Sequence, residues 1–363
     1  MLLTGLFTNL SAQKNIVIKG TIKGNLKGFN KVYFFGENIK EDSAEIRKGS
    51  FTIIIPWVAD AIPYLYCEYD SKMVTGPVAF PLVIDRPGTV YLKVSDITKG
   101  LRSGKISGNA AAIAFQSFDD GNAKLDEEMK AAVNARFPGK AKGDRDWNKA
   151  FVEMKLERTM PYISDFIKKH SDSYAGAFVL HRYHNVLPED DLETLFNQLG
   201  EAEQRTGPGK AVNDYLTGKK RSVLGNEVQN FTLATPKGDS ITFSSLRGKY
   251  VMIDFWSSWC GPCKASFPHV KEVYRKYRGE RFEILGISID EDKSAWLNEL
   301  NNQQLPWPNV LDTKKAYVSN FAVTGVPTVF LIGPDGKILM REIGFKKDGS
   351  GEIEKKLKEL FEQ

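Results

Sequence analysis

The spacing of apolar and polar residues changes character twice along this chain. From Ile16 to about Leu101 the apolar residues fall in short runs: Ile16-Val17-Ile18, Val32-Tyr33-Phe34-Phe35, Phe51-Thr52-Ile53-Ile54-Ile55, Tyr64-Leu65-Tyr66, Leu82-Val83-Ile84 and Val90-Tyr91-Leu92-Lys93-Val94. Gly24-Asn25, Lys48-Gly49 and Pro87-Gly88 punctuate them at spacings that suit hairpins, which predicts a β-sandwich of roughly six to eight strands over residues 14–105. The Tyr and Phe in these runs suit core and sheet surface, as strands favour them, although they could also line a ligand groove. Cys67 falls in one of the runs and reads as a small buried hydrophobe.

From Asn109 to about Thr217 the period becomes helical. Asn109 is placed to cap a helix opening at Ala110. Trp147, Phe151 and Met154 share one face, and Ile163, Phe166 and Ile167 share another beyond Pro161, which should kink or divide that helix. A further helix starts at Pro188, carries Glu189, Asp190 and Asp191 in its first turn and Leu192, Leu195, Phe196 and Leu199 as its apolar stripe, and ends at Gly200. Gly207-Pro208-Gly209 and Gly218-Lys219-Lys220-Arg221 read as loops. Residues 106–222 are therefore expected to form a helical region ending in a solvated linker.

Residues 223–363 read as a separate α/β domain. Val228 to Leu233 and Ile241 to Phe243 are strand-like and precede a central apolar strand, Tyr250 to Trp256. A helix beginning near Cys260 presents Phe267, Val270, Tyr274 and Tyr277 on one face, with Pro268 as an expected kink. Phe282 to Ile289 is an apolar strand and Lys293 to Asn302 a crossover helix, so the unit is βαβ with a parallel sheet. A helix ending at Phe321, a strand from Thr328 to Ile332, a turn at Pro334-Asp335-Gly336, an antiparallel return over Lys337 to Ile343 and a helix from Glu352 to Phe361 complete it.

Composition narrows the functional classes. With 42% apolar and 26% charged residues in 363, the chain has room for two or three ordinary domains. Fifty basic against 45 acidic residues give a net charge of +5, too even a balance to imply nucleic-acid binding. No apolar run reaches the roughly 18 residues of a transmembrane helix. Residues 1–13, Leu2 to Gln13 in particular, read like the apolar region and small-residue end of a secretory signal that lacks its basic start, with a frayed lead into the first strand as the alternative.

Two of the three cysteines stand in Trp259-Cys260-Gly261-Pro262-Cys263, between the apolar strand and an amphipathic helix. A Cys at a helix N-terminus sits beside unpaired N–H groups and the positive end of the helix dipole, which favours thiolate. The thiolate attacks disulfides, and a second Cys one turn on can resolve the mixed disulfide. Cys260 is thus the candidate nucleophile, expected to be the more exposed thiol, and Cys263 the resolving thiol. A zinc site would need four ligands, and only Cys67 and His269 stand out as further donors. An inert buried pair is the other reading. His181 and His184, three apart on a helix, could face one metal but have no third ligand nearby in sequence.

Phe231-Thr232-Leu233, Ser245-Leu246-Arg247-Gly248-Lys249, the Cys-Gly-Pro-Cys motif, Gly286-Ile287-Ser288-Ile289-Asp290, Gly325-Val326-Pro327-Thr328 and Pro334-Asp335-Gly336 together resemble the thioredoxin-like envelope thiol–disulfide oxidoreductases typified by TlpA and ResA. The region before them is similar, more weakly, to the N-terminal part of Bacteroidetes members. The resemblance implies a thioredoxin fold at the C-terminus and a periplasmic or envelope enzyme secreted across the inner membrane. It further implies protein thiol or disulfide substrates, a membrane-bound or envelope electron donor, and no metal or organic cofactor. It makes Pro327 a cis-proline facing the disulfide, and places Trp259, Gly261, Pro262, Val326 and Thr328 around the substrate. The Gly-Pro pair resembles that of thioredoxin, whose potential is near −270 mV, which implies a reductase.

The acids depart from the envelope pattern. Ser266 stands where such members commonly carry Glu, whereas Asp254 matches the buried Asp of cytoplasmic thioredoxins. An Asp between Ile and Phe is costly unless used, and burial raises a carboxyl pKa toward neutrality, where it could exchange a proton with Cys263; structural hydrogen bonding is the alternative. Two rival functions are a peroxiredoxin, which would need Thr and Pro where Ser257 and Ile253 stand, and an envelope binding protein whose β-rich domain recognises a polypeptide or glycan.

Overall fold

Strands β1 (Asn15–Ile22), β2 (Lys31–Gly36), β3 (Ile39–Glu45), β4 (Ser50–Pro56), β5 (Tyr64–Cys67), β6 (Phe80–Pro81), β7 (Gly88–Val94) and β8 (Lys105–Ser107), with the short helix α1 (Glu68–Met73), make up the β-rich part of a computed structural model that describes residues 14–73, 79–344 and 351–362. The signal-like stretch at 1–13 lies outside the described residues. In β4 the burial alternates strictly, Phe51, Ile53 and Ile55 pointing inward, the period-2 signature of a half-buried strand. The strands form two four-stranded sheets, ordered β4-β1-β7-β8 and β3-β2-β5-β6, and residues of both, from Ile16 and Ile53 to Val32 and Leu65, share one core cluster.

Three details differ from the sequence reading. Leu82, Val83 and Ile84 are buried but belong to no strand, the ladder there being confined to Phe80 and Pro81. Gly24-Asn25 and Pro87-Gly88 do not close hairpins: β1 pairs with β4 antiparallel and with β7 in parallel, both distant in sequence. Lys48-Gly49 does turn the chain tightly, Arg47 bridging to Ser50, but β3 and β4 then part to different sheets. The aromatic residues Tyr33, Phe35, Tyr64 and Tyr66 lie half-buried on β2 and β5, stacked as cross-strand pairs 4.9 and 5.5 Å apart.

Helices α2 (Ala110–Arg136), α3 (Arg145–Lys169), α4 (Tyr174–Tyr183), α5 (Glu189–Gln198), α6 (Glu201–Gln204) and α7 (Gly207–Arg221) follow. The Asn109 side chain caps α2 by accepting from Ala112 N. Pro161 does not divide α3, because the carbonyl it leaves without a partner belongs to exposed Glu157, where solvent can take that place. The two Gly-rich segments expected as loops are both helical, inside α7. Pro208 falls in the first turn, whose N–H groups have no helical partner anyway. Gly218 is there for closeness: a Cβ on it would fall on the Val318 carbonyl oxygen and 2.7 Å from Ala322 N.

The chain divides into two compact units, Met1–Val212 and Asn213–Gln363, so the end of α7 belongs with the second. That unit contains β9 (Thr232–Ala234), β10 (Ser240–Thr242), β11 (Tyr250–Trp256), α8 (Gly261–Tyr277), β12 (Phe282–Ser288), α9 (Lys293–Gln303), β13 (Asn309–Leu311), α10 (Ala316–Phe321), β14 (Thr328–Ile332), β15 (Ile338–Ile343) and α11 (Glu352–Phe361). Its sheet runs β10-β9-β13-β12-β11-β14-β15, with β11 parallel to β12 and antiparallel to β14. Every residue of β11 after Tyr250 is buried, as a central strand covered on both faces requires. Val251, Ile253 and Phe255 enter one core with Phe321 and Phe330, while Met252 and Trp256 enter the other with Phe267, Val270 and Tyr274 of α8.

The packing at Gly218 is testable. Gly218→Ala should destabilise the second unit by about 1–3 kcal/mol, the usual cost of overpacking, read as a lowered denaturation midpoint. Gly261→Ala, with nothing within 4 Å of its would-be Cβ, should leave the midpoint within about 0.5 kcal/mol of the parent.

Candidate active site

The site grows from the end of β11. After Trp256 the chain turns through Ser257, Ser258 and Trp259, Cys260 N donating to Ser257 O at 3.1 Å, and enters α8 at Gly261. Cys260 has extended backbone angles, φ −80° and ψ 98°, and is the N-cap: its Sγ accepts from Cys263 N at 3.1 Å. Pro262 occupies the first turn, where a missing N–H costs nothing. Cys260 and Cys263 are joined as a disulfide. Sulfur therefore stands in the position where capping oxygens normally satisfy the free N–H groups and meet the helix dipole.

The approach to the sulfurs is asymmetric. Trp259 is 68% exposed, and Gly261 and Pro262 are exposed beside it. Opposite lies the loop before β14, whose Val326–Pro327 bond is cis; Val326 O is 3.5 Å from Cys260 Sγ. Thr328 is buried and donates through Oγ1 to Gly325 O at 2.7 Å, tying that loop to the strand that pairs with β11. The structure thus brings Cys260, Cys263 and Val326 together. In the disulfide form both residues are buried, Cys260 3% and Cys263 1% exposed, and the Val326 carbonyl lies against Cys260.

Asp254 lies on β11 two residues before Trp256 and two after Met252, so the pleat gives it the face that the cysteines and α8 share. It is 3% exposed and its Oδ2 has no hydrogen-bond partner. Burial pushes its carboxyl from the ordinary 3.8 up to about 7. Ser266 is also buried, but its hydroxyl is turned back on the helix, donating to Cys263 O at 2.7 Å. Cys67 sits in the β-rich domain, where burial pushes its thiol up to about 12, leaving little thiolate for exchange. The rings of His181 and His184 stack with centroids 5.4 Å apart and nearly parallel planes, and no group of three potential ligands forms among the described residues.

Sequence reasoning missed Ser258, Lys264 and Asp290 as members of the site. Asp290, just beyond β12, is 3% exposed and accepts from Ser258, while Lys264 Nζ donates to Ser258 O at 3.0 Å. The available signal was an acid just beyond the carboxyl end of an apolar parallel strand, the end of an α/β sheet where ligand sites gather.

Residues 224–341 match the family model described as the AhpC/TSA family. The chain is similar to the curated thiol-disulfide oxidoreductase ResA of Bacillus subtilis (strain 168), with 35% identity over 127 residues that make up 35% of this chain and 71% of that protein. ResA of Bacillus anthracis is 33% identical over 130 residues, 36% of this chain and 75% of that protein. Among solved structures it is similar to a thiol-disulfide oxidoreductase from Bacteroides fragilis NCTC 9343, at 32% identity over 38% of this chain and 100% of the other, with a TM-score of 0.34. No helix among the described residues is long and apolar enough to cross a membrane.

The raised pKa of Asp254 fixes a sign. Below about pH 3.8 the carboxyl is protonated in both folded and unfolded chains and contributes nothing. Between there and about pH 7 the folded chain keeps a proton that the unfolded one has released, so stability falls as pH rises, by about 4 kcal/mol in all. The stability gained by Asp254→Asn, measured by denaturant titration, should therefore grow from pH 4 to 7 and level off above. A gain that is the same at every pH would show that Asp254 does not titrate in this range.

Proposed function

This chain belongs to the thioredoxin-like thiol–disulfide oxidoreductases of the ResA type, and from that premise we propose that it reduces protein disulfides in the cell envelope through Cys260 and Cys263. The observation that carries the reading is the capping geometry. Cys263 N–H points at Cys260 Sγ from 3.1 Å at the start of a 17-residue helix, and both the hydrogen bond and the dipole stabilise negative charge on that sulfur.

In the reduced protein the Cys260 thiolate attacks one sulfur of the substrate disulfide. A mixed disulfide forms and the other substrate sulfur leaves as thiolate. Cys263, having lost its proton, then attacks Cys260 Sγ, releasing the second substrate thiolate and leaving the Cys260–Cys263 disulfide. Two electrons have passed from the enzyme dithiol to the substrate, and an envelope dithiol donor restores them. Asp254, on the same sheet face as Cys263 with a carboxyl pKa near neutrality, takes the Cys263 proton as the mixed disulfide resolves.

Substrate docks on the exposed side of the motif. Trp259, Gly261 and Pro262 offer an apolar, unobstructed flank, and Val326, Pro327 and Thr328 face it across the sulfurs. An extended substrate segment can pair with the backbone of that loop as an added strand. The envelope location rests on the family and on the signal-like start of the sequence.

Cys260→Ser should abolish reduction of insulin disulfides, and Cys263→Ser should accumulate mixed disulfides with substrate, recoverable as reductant-sensitive adducts by mass spectrometry. Cys67→Ser should keep the rate within about twofold, since a buried thiol with no resolving neighbour has no part in the cycle. A native disulfide between Cys67 and either motif cysteine would overturn the assignment.

A further inference from the structure

Resting on the exchange chemistry proposed above, we propose that Asp290 and Lys264 form a clamp of opposite charges on Ser258 that positions Cys260 for attack. All three polar groups of Ser258, two residues before the nucleophile, are held. Its N–H donates to Asp290 Oδ2 at 2.9 Å and to Oδ1 at 3.2 Å, its hydroxyl donates to Oδ1 at 2.7 Å, and its carbonyl accepts from Lys264 Nζ at 3.0 Å.

The carboxylate is itself fixed from behind. Ser288 Oγ donates to its Oδ2 at 2.7 Å and accepts from Asp290 N at 3.0 Å, and Ile289 N donates to Trp256 O at 2.9 Å, which locks this loop to the end of β11. Both oxygens of a carboxylate 3% exposed are thus occupied by donors, the condition under which a buried acid can be retained. Lys264 is steadied in turn by Glu299 of α9, 3.9 Å away.

The clamp acts on Cys260 because the turn between Ser258 and Gly261 is short. Releasing Ser258 frees the peptide that leads into Cys260 and loosens the placement of Sγ over Cys263 N–H. It also leaves a part-buried N–H without an acceptor. The two charges oppose one another in their effect on the thiol: Asp290 disfavours the thiolate and Lys264 favours it. Other titratable groups on the elements beside the motif include Glu299 on α9, Asp254 on β11 and Asp312, buried after β13 with its N–H donating to Ser288 O at 2.9 Å.

The test uses the full-length reduced protein, with insulin reduction and the pH profile of Cys260 alkylation as readouts. Asp290→Ala should lower kcat/KM for exchange about tenfold or more while the circular dichroism spectrum stays native. Asp290→Asn, whose amide oxygen at the Oδ1 position still accepts from the Ser258 hydroxyl and N–H while its nitrogen replaces Oδ2 beside Ser288, should restore part of that rate. The alkylation midpoint should fall by about half a pH unit in Asp290→Asn and rise by a similar amount in Lys264→Gln. A purely structural role cannot produce shifts of opposite sign. A folded Asp290→Ala protein exchanging at the parental rate overturns the clamp, as do midpoints that stay put or move together in the two charge variants. Should Asp290→Ala not fold, the other two variants decide. Absence of insulin reduction by the parent would instead count against the proposed function, while the alkylation midpoints still judge the clamp.

Discussion

A helix that starts at Gly261 must satisfy N–H groups that have no carbonyl one turn back, and this domain does so with sulfur. Where Ser, Asp or Asn would normally cap the helix, Cys260 accepts from Cys263 N. The requirement constrains everything around it. The strand before must end at a fixed height, which β11 does by pairing on both sides along its length. The helix behind must not shift, and Phe267 is fully buried against Trp256, edge to face at 5.4 Å. The sulfur of Cys260 is therefore held by the ends of two rigid elements, with one short turn between them.

The same strand separates two kinds of surroundings by its pleat. Its odd-numbered residues meet an aromatic cluster that includes Phe321 and Phe330, while its even-numbered ones meet α8 and the sulfurs. A register slip of one residue would carry Asp254 from the sulfur side to the aromatic side. A carboxyl on the sulfur side has a cost in stability, and that is the side from which, in the proposed cycle, it takes the proton of Cys263. The cost and the chemistry have a common origin, which is the removal of water.

Much of the second unit was legible because central strands buried on both faces read as nearly continuous apolar runs. The bounds of β11 and β14 match the runs Tyr250 to Trp256 and Thr328 to Ile332. What escaped depended on partners distant in sequence. β13 is three residues long and exists through its neighbours β12 and β9. Leu82 to Ile84 shows the converse, apolar enough to be buried yet outside any strand, since burial and ladder formation are separate conditions. The glycines of α7 suggested loops because local propensity was the visible signal, whereas the close approach of Val318 was not. Ser258 and Asp290 are 32 residues apart, and no local spacing announces their meeting. In the β-rich domain the polar edge strand β3, with Lys40, Glu41, Asp42 and Ser43 in its middle, and the three-residue β8 lack the apolar runs by which β1, β2, β4, β5 and β7 were found.

The helical end of α7 bears on how the protein can be dissected. Arg221 donates to Ser319 O at 3.2 Å and to Asn320 Oδ1 at 3.0 Å, and Gly218 lies against the backbone of α10. A recombinant fragment cut at the boundary that the sequence suggests, near residue 223, would strip these contacts and leave the flank of α10 facing solvent. One begun near Asn213 keeps them, so the minimal self-sufficient redox module is about one helical half longer than its motifs announce.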